Sequence, residues 1–127
     1  MEQKEEMREN EEMRIFAQKW YHGHKWIITI GGSSVQLDIY PKAQRPYDVK
    51  AFIYRLWVDE ESRGQGIGRR LLQKAEEIAR AAGERTVHLE WISYDSPRWV
   101  YDWYLRNRYH EVTSNYDNTV LMLRKCL

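Results

Sequence analysis

The stretch 49–83 constrains the chain more than any other part of it. Residues 49–58 form a long, almost wholly apolar run from Val49 to Val58, the pattern of a central strand covered on both faces. A polar connector, 59–63, leads into glycine at 64, 66 and 68. From there Ile67, Leu71, Leu72, Ala75, Ile78 and Ala82 recur at helical spacing until Gly83 stops them. Residues 86–92 return to a strand pattern, and the interval has the length of a right-handed crossover between parallel strands. Any fold containing this stretch is a sheet with a helix laid on it.

The remaining segments add to that sheet. Residues 2–20 are rich in Glu, Met, Arg and Gln, and Met13, Phe16 and Trp20 fall on one helical face, so the spacing predicts an N-terminal helix over 1–20, frayed at its start. Runs 25–30 and 33–40 alternate apolar positions around Gly31 and Gly32 and read as a hairpin. Residues 41–48 carry Pro41 and Pro46 and read as a loop. Ser96 and Pro97 supply a cap and first position for a helix whose apolar side is Trp99, Trp103, Tyr104 and Leu105. Strands are expected at 109–114 and 119–125, around the turn-rich residues 115–118. The order predicts an α+β (mixed α/β) fold: a central mixed sheet of about six strands with three helices on it, residues 1–20 forming the first helix and 21–127 a single domain.

A chain of 127 residues with 43% hydrophobic and 13% aromatic residues can bury a core of its own. Its net charge of +1 gives no general attraction to nucleic acid or anionic lipid, so any anion site must be built locally. The lone Cys126 excludes a disulfide framework, and the acidic opening residues and lack of a long apolar run resemble neither a leader nor a membrane span. A cytoplasmic protein, monomer or homodimer, is expected. His22, His24, His88 and His110 are scattered without zinc-type spacing, so no metal is expected.

Glycine at alternate positions 64, 66 and 68 strips side chains from the start of a helix, where the first-turn N–H groups lack partners. Flanked by Arg63 and Arg69, such an end suits a diphosphate. A P-loop would need Lys then Ser or Thr where Arg69 and Arg70 stand, and a dinucleotide fingerprint spaces its glycines differently. The plain alternative is a flexible turn that releases the chain into its helix.

Arg63, Gly64, Gln65, Gly66, Ile67 and Gly68 satisfy the pattern Arg/Gln-x-x-Gly-x-Gly/Ala, and with this the sequence from about residue 51 to its end resembles the GNAT superfamily of acyl-CoA-dependent N-acyltransferases. The resemblance implies that the amides of Arg63, Gly64, Gln65, Gly66, Ile67, Gly68 and Arg69 bind the pyrophosphate of acetyl-CoA. It also implies that Leu56, Trp57 and Val58 pair with the pantetheine arm like an added strand, across a gap opened by a bulge or splay. An N–H near Leu56 or Val58 would then polarise the thioester carbonyl. Residues 100–109 are similar to the family's Ala-x-x-x-Tyr-x-Lys-x-Gly-Phe segment, which makes Tyr104 the phenol that protonates the departing thiolate. Arg108 stands where that segment has glycine, so Asn107 is expected to end the helix, and the strand glutamate of the histone-modifying branch falls on Phe52.

An attacking amine must lose a proton. His88 and Glu90 share one face of a strand whose other face is Val87, Leu89 and Trp91, and both are candidate bases; Asp38, Asp48 and Asp95 are others. Against this stands an ordinary cross-strand pair of Glu90 with Arg55. The reading is an N-acetyltransferase moving acetyl from acetyl-CoA to a small amine or an exposed protein amine by direct attack in a ternary complex. Competing classes are a CoA-binding module without turnover and a protein-interaction domain.

Overall fold

Strand pairing, not helical spacing, organises the first part of the chain. The computed structural model describes residues 12–112 and 119–127. Its strands are β1 (Met13–Trp20), β2 (Gly23–Ile30), β3 (Ser33–Gln44), β4 (Val49–Trp57), β5 (Thr86–Ile92), β6 (His110–Glu111) and β7 (Val120–Cys126); its helices are α1 (Ile67–Ala81) and α2 (Arg98–Arg106). They form one seven-stranded sheet in the order β1-β2-β3-β4-β5-β7-β6. Every neighbouring pair is antiparallel except β4 and β5, which the crossover helix α1 joins in parallel.

The expected α+β class holds, with seven strands and, among the described residues, two α-helices. The N-terminal helix is corrected where it can be seen. Residues 13–20 pair with 23–30 along their whole length, Met13 opposite Ile30 and Trp20 opposite Gly23, while residues 1–11 lie outside the described residues. Helix propensity in this stretch is a weak preference, and the hydrogen bonds to β2 outweigh it. Residue 20 is therefore no boundary, because β1 belongs to the sheet. Other ends moved too: β3 continues through Pro41 to Gln44, and α2 begins after Pro97 with no side-chain cap from Ser96. Arg108 itself takes the left-handed backbone (φ 74) after α2, rather than Asn107. The expected strand 109–114 is His110–Glu111, and 113–118 lie outside the described residues.

Both helices pack on one face. Ile67, Leu71, Leu72, Ala75 and Ala79 of α1 join Ile28, Leu37, Ile53, Leu89 and Leu123 of the sheet in a single core. Each such side chain, fully buried, contributes about 1.5–3 kcal/mol, less for the alanines. The α2 residue Tyr101 lies with its ring 5.2 Å from Trp91, which belongs to the same core. Glu76, the charged residue on the inner side of α1, is 5% exposed. It accepts hydrogen bonds from Tyr109 Oη and Lys125 Nζ, both at 2.8 Å, which ties α1 to β7 and to the segment after α2.

Neither described helix packs on the other face. There the register sets Lys25, Asp38, Phe52, His88, Arg124 and His110 in one row across the strands. The turn Tyr21–His22 is all that separates β1 from β2.

Candidate active site

The parallel strands part company early. Their one register pair is Phe52 with His88, although β4 runs on to Trp57 and β5 to Ile92. The cause lies on β4. Between the pairs Gln36–Tyr54 and Ser34–Trp57 it carries one more residue than β3, a bulge at which Arg55 has φ 51. Beyond the bulge no register pair joins β4 to β5, so the end of β4 is open on its β5 side. Leu56 and Val58 stay partly packed against the core, while Trp57 is exposed. An extended ligand with amide groups fits such a gap.

The glycine run lies beyond the end of β4. The connector is pinned by Asp59 N–H donating to Ser33 Oγ at 2.8 Å and makes one 3-10 turn, Glu60–Ser62. Gly64 (φ 82) and Gly66 (φ 78) are left-handed, and a Cβ built on either would meet nothing within 4 Å. Conformation, with open space above it, is therefore what demands glycine there. Gly68 differs: its Cβ would stand 3.2 Å from Val58 Cγ2 and 3.6 Å from the Trp103 ring, so it lets α1 approach β4 and α2. Gly66 caps α1 with no side chain to satisfy the first-turn amides. Those amides and the helix's positive end, with Arg69 and Arg70 exposed beside them, make a candidate anion cradle. Arg63 is partly committed, its Nε–H donating to Val58 O at 3.1 Å and its guanidinium lying 5.2 Å from the Trp57 ring centre. Gln65 reaches back to Glu61 O at 3.5 Å, and the Ile67 side chain is buried, leaving its backbone as its contribution to the cradle.

Tyr104 lies on the helical side of the sheet, its ring 5.5 Å from that of Trp103, the ring that a Cβ on Gly68 would meet at 3.6 Å. Burial raises its pKa to about 12, so it is a proton donor across the physiological range.

On the face that neither described helix covers, His88 and Glu90 do share a side of β5 but not an environment. His88 is 2% exposed and, among the described residues, neither ring nitrogen has a hydrogen-bond partner. Burial, with the Arg124 cation beside it, lowers its pKa below the usual histidine value; it stays neutral and can accept a proton. Glu90 is exposed, two residues past the last β4–β5 pair. Its expected pairing with Arg55 is not formed; Arg55 lies 5.9 Å from the Tyr54 ring instead. Asp48, in the turn before β4, pairs with Arg45 at 3.7 Å, and its charge opposes the lowering of the His88 pKa without reversing it; Asp95 sits in the turn after β5.

The sheet also assembles a cluster that sequence reading named only through Asp38. Its carboxylate accepts from Lys25 Nζ and from Tyr54 Oη, each at 3.0 Å, and Lys25 also bonds Tyr54 Oη. Lys25 Nζ stands 4.7 Å from the centre of the Trp20 ring and 4.9 Å from that of Tyr54. Alternation was the available signal, since Tyr54 is out of phase with the core residues Ala51 and Ile53. Among the described residues no three His, Cys, Asp or Glu side chains are grouped to hold a metal ion, and no helix is long and apolar enough to cross a membrane.

Comparison with known proteins gives this geometry a context. The chain shares its fold with an acetyltransferase from Bacillus subtilis solved in complex with CoA (TM-score 0.63, 14% identity, 91% of this chain and 99% of that one). A PaiA N-acetyltransferase from Thermoplasma acidophilum, also in complex with coenzyme A, matches with TM-score 0.61 and 20% identity over 81% of this chain and 60% of that one. An acetyltransferase from Bacillus cereus ATCC 14579 matches with TM-score 0.59 and 23% identity over 94% and 78%. No curated protein sequence matches. The model of the acetyltransferase (GNAT) family matches residues 2–100. The parted parallel strands, the glycine cradle and that match together make this chain a member of the GNAT family of acyl-CoA-dependent acyltransferases.

Proposed function

We propose that the protein transfers an acetyl group from acetyl-CoA to a primary amine, by direct attack within a ternary complex. The observation that carries this reading is the end of β4–β5 pairing at Phe52 and His88, with the uncapped start of α1 following β4 in the chain. In this reading the amides around Gly64 to Arg69 hold the pyrophosphate, and the backbone of Leu56, Trp57 and Val58, on its β5 side, holds the pantetheine arm. The donor lies on the helical side, beside Tyr104, and the acceptor enters from the opposite face, where Glu90 and His88 stand.

The amine nitrogen attacks the thioester carbon, and an N–H near Leu56 or Val58 steadies the oxyanion. Collapse breaks the C–S bond, and the thiolate takes its proton from Tyr104. The proton lost by the amine passes to Glu90 or, through water, to neutral His88. Among the described residues none is oriented as a covalent nucleophile, and Cys126 is exposed at the end of β7. The test is release of free CoA from acetyl-CoA over a panel of primary amines, read with a thiol reagent. Turnover dependent on one amine class supports the reading; CoA binding without turnover on any amine replaces it with that of a binding module.

A further inference from the structure

A cavity of about 370 Å³, large enough for a small molecule, opens at the corner of the sheet where β1 turns into β2. It is not the donor site. Lys50, which lines it, stands near the start of β4, whereas the glycine cradle follows the far end of that strand at Trp57, roughly 20 Å along it. Glu84, also in the lining, precedes β5 at the same end as Lys50. The turn at residues 21–22 creates the corner, because it folds Lys19 and Trp20 of β1 back beside His24 and Gly23 of β2.

The chemistry of this lining is unbalanced. Lys19 and Lys50 bring two ammonium groups, and Glu84 brings the one carboxylate, which is already engaged with Lys50 at 3.5 Å. Lys19 enters no ion pair among the described residues, so the corner keeps a single surplus positive charge. Hydrogen-bond donors are in excess too. The indole N–H of Trp20 is buried and has no acceptor among the described residues, and an oxygen settling against it would satisfy it. Around these donors the rings of Trp20, Tyr21 and Tyr40 supply flat apolar walls.

We propose that this corner is a second binding site, for an aromatic monocarboxylate whose ring lies among Trp20, Tyr21 and Tyr40 and whose carboxylate takes the Lys19 ammonium and the Trp20 N–H. One surplus charge matches a monoanion; a phosphate dianion would bring a negative charge that nothing in the lining meets. Both parts of the ligand are needed, because an exposed lysine by itself is served by water and salt. The cavity and the cradle share no residue, so binding here stands apart from acetyl transfer.

The experiment follows melting of the full chain with sodium benzoate as probe, and with sodium chloride, sodium acetate and benzylammonium chloride as controls. Benzoate should raise the melting temperature saturably, by roughly 5 °C at a tenfold excess over its dissociation constant. The controls should not, since acetate lacks the ring and benzylammonium the negative charge. Lys19 is exposed, so Lys19→Gln should fold as the native chain does and bind benzoate about tenfold more weakly. Trp20→Phe keeps a ring and removes the N–H, and should weaken benzoate about fivefold. Saturating acetyl-CoA should leave the benzoate shift in place. No saturable shift, an equal shift with acetate, or full benzoate affinity in Lys19→Gln or Trp20→Phe would overturn the proposal. Loss of the shift under acetyl-CoA would overturn it as well, by seating benzoate in the cradle. Failure of acetyl-CoA to bind at all would instead sink the acetyl-transfer reading, so the two failures are distinguishable.

Discussion

Tyr104 and His88 are the side chains whose chemistry burial has changed most usefully. A phenol with pKa about 12 stays protonated through the whole working range, so it contributes no basic limb to a pH profile below about pH 10. Tyr104→Phe should lower kcat by about a hundredfold while the dissociation constant for CoA moves by less than about twofold, measured by steady-state kinetics beside calorimetry. Equal loss of both would make Tyr104 a packing residue. For His88 the sign is fixed by its depressed pKa. Between that value and the ordinary 6.5 the unfolded chain binds a proton the folded one does not, so stability falls as pH drops below about 6.5. Melting curves from pH 7.5 to 5 should show this slope, and His88→Gln should flatten it.

At the scale of elements, α1 carries both the site and much of the fold. Gly66 holds a left-handed backbone in open space, so Gly66→Ala should cost about 1–2 kcal/mol and weaken CoA binding about tenfold, without any new clash. Glu76→Ala leaves Lys125 and Tyr109 without their buried acceptor and should cost about 2–3 kcal/mol, lowering the melting temperature by roughly 10 °C with CoA affinity retained. These elements were legible in the sequence for physical reasons. The apolar spacing of α1 sets its face, and β5 is bounded where its β-branched and aromatic run ends. β1 was not legible, because Glu, Arg and Met favour a helix locally while the partner that decides the matter, β2, supplies pairing no single segment encodes. Ser96 failed as a cap because the chain enters α2 extended at Pro97. The bulge at Arg55 was expected only through family likeness; a left-handed arginine has no local signal, since its strand neighbours impose it.

Across the whole molecule, the placement of both helices on one side divides the labour of the sheet. The helical face supplies the core, the cradle and the phenol, and the opposite face gathers polar groups contributed by β2, β3, β5 and β7 into one row, with Phe52 of β4 between them. Sequence alternation foretold which residues share that face, as with His88 and Glu90. It could not foretell that His88 is buried and Glu90 exposed, because that depends on side chains from neighbouring strands. The same limit hid the cluster of Lys25, Asp38 and Tyr54, whose members meet only through the register of the sheet.

The account depends most on the open amides at the start of α1 as the seat of a diphosphate. Calorimetric titration should find one molecule of acetyl-CoA bound per chain with a dissociation constant of roughly micromolar order, and acetyl-pantetheine, which lacks the pyrophosphate, bound about a hundredfold more weakly. Equal affinity for the two, or no heat from either, would contradict it.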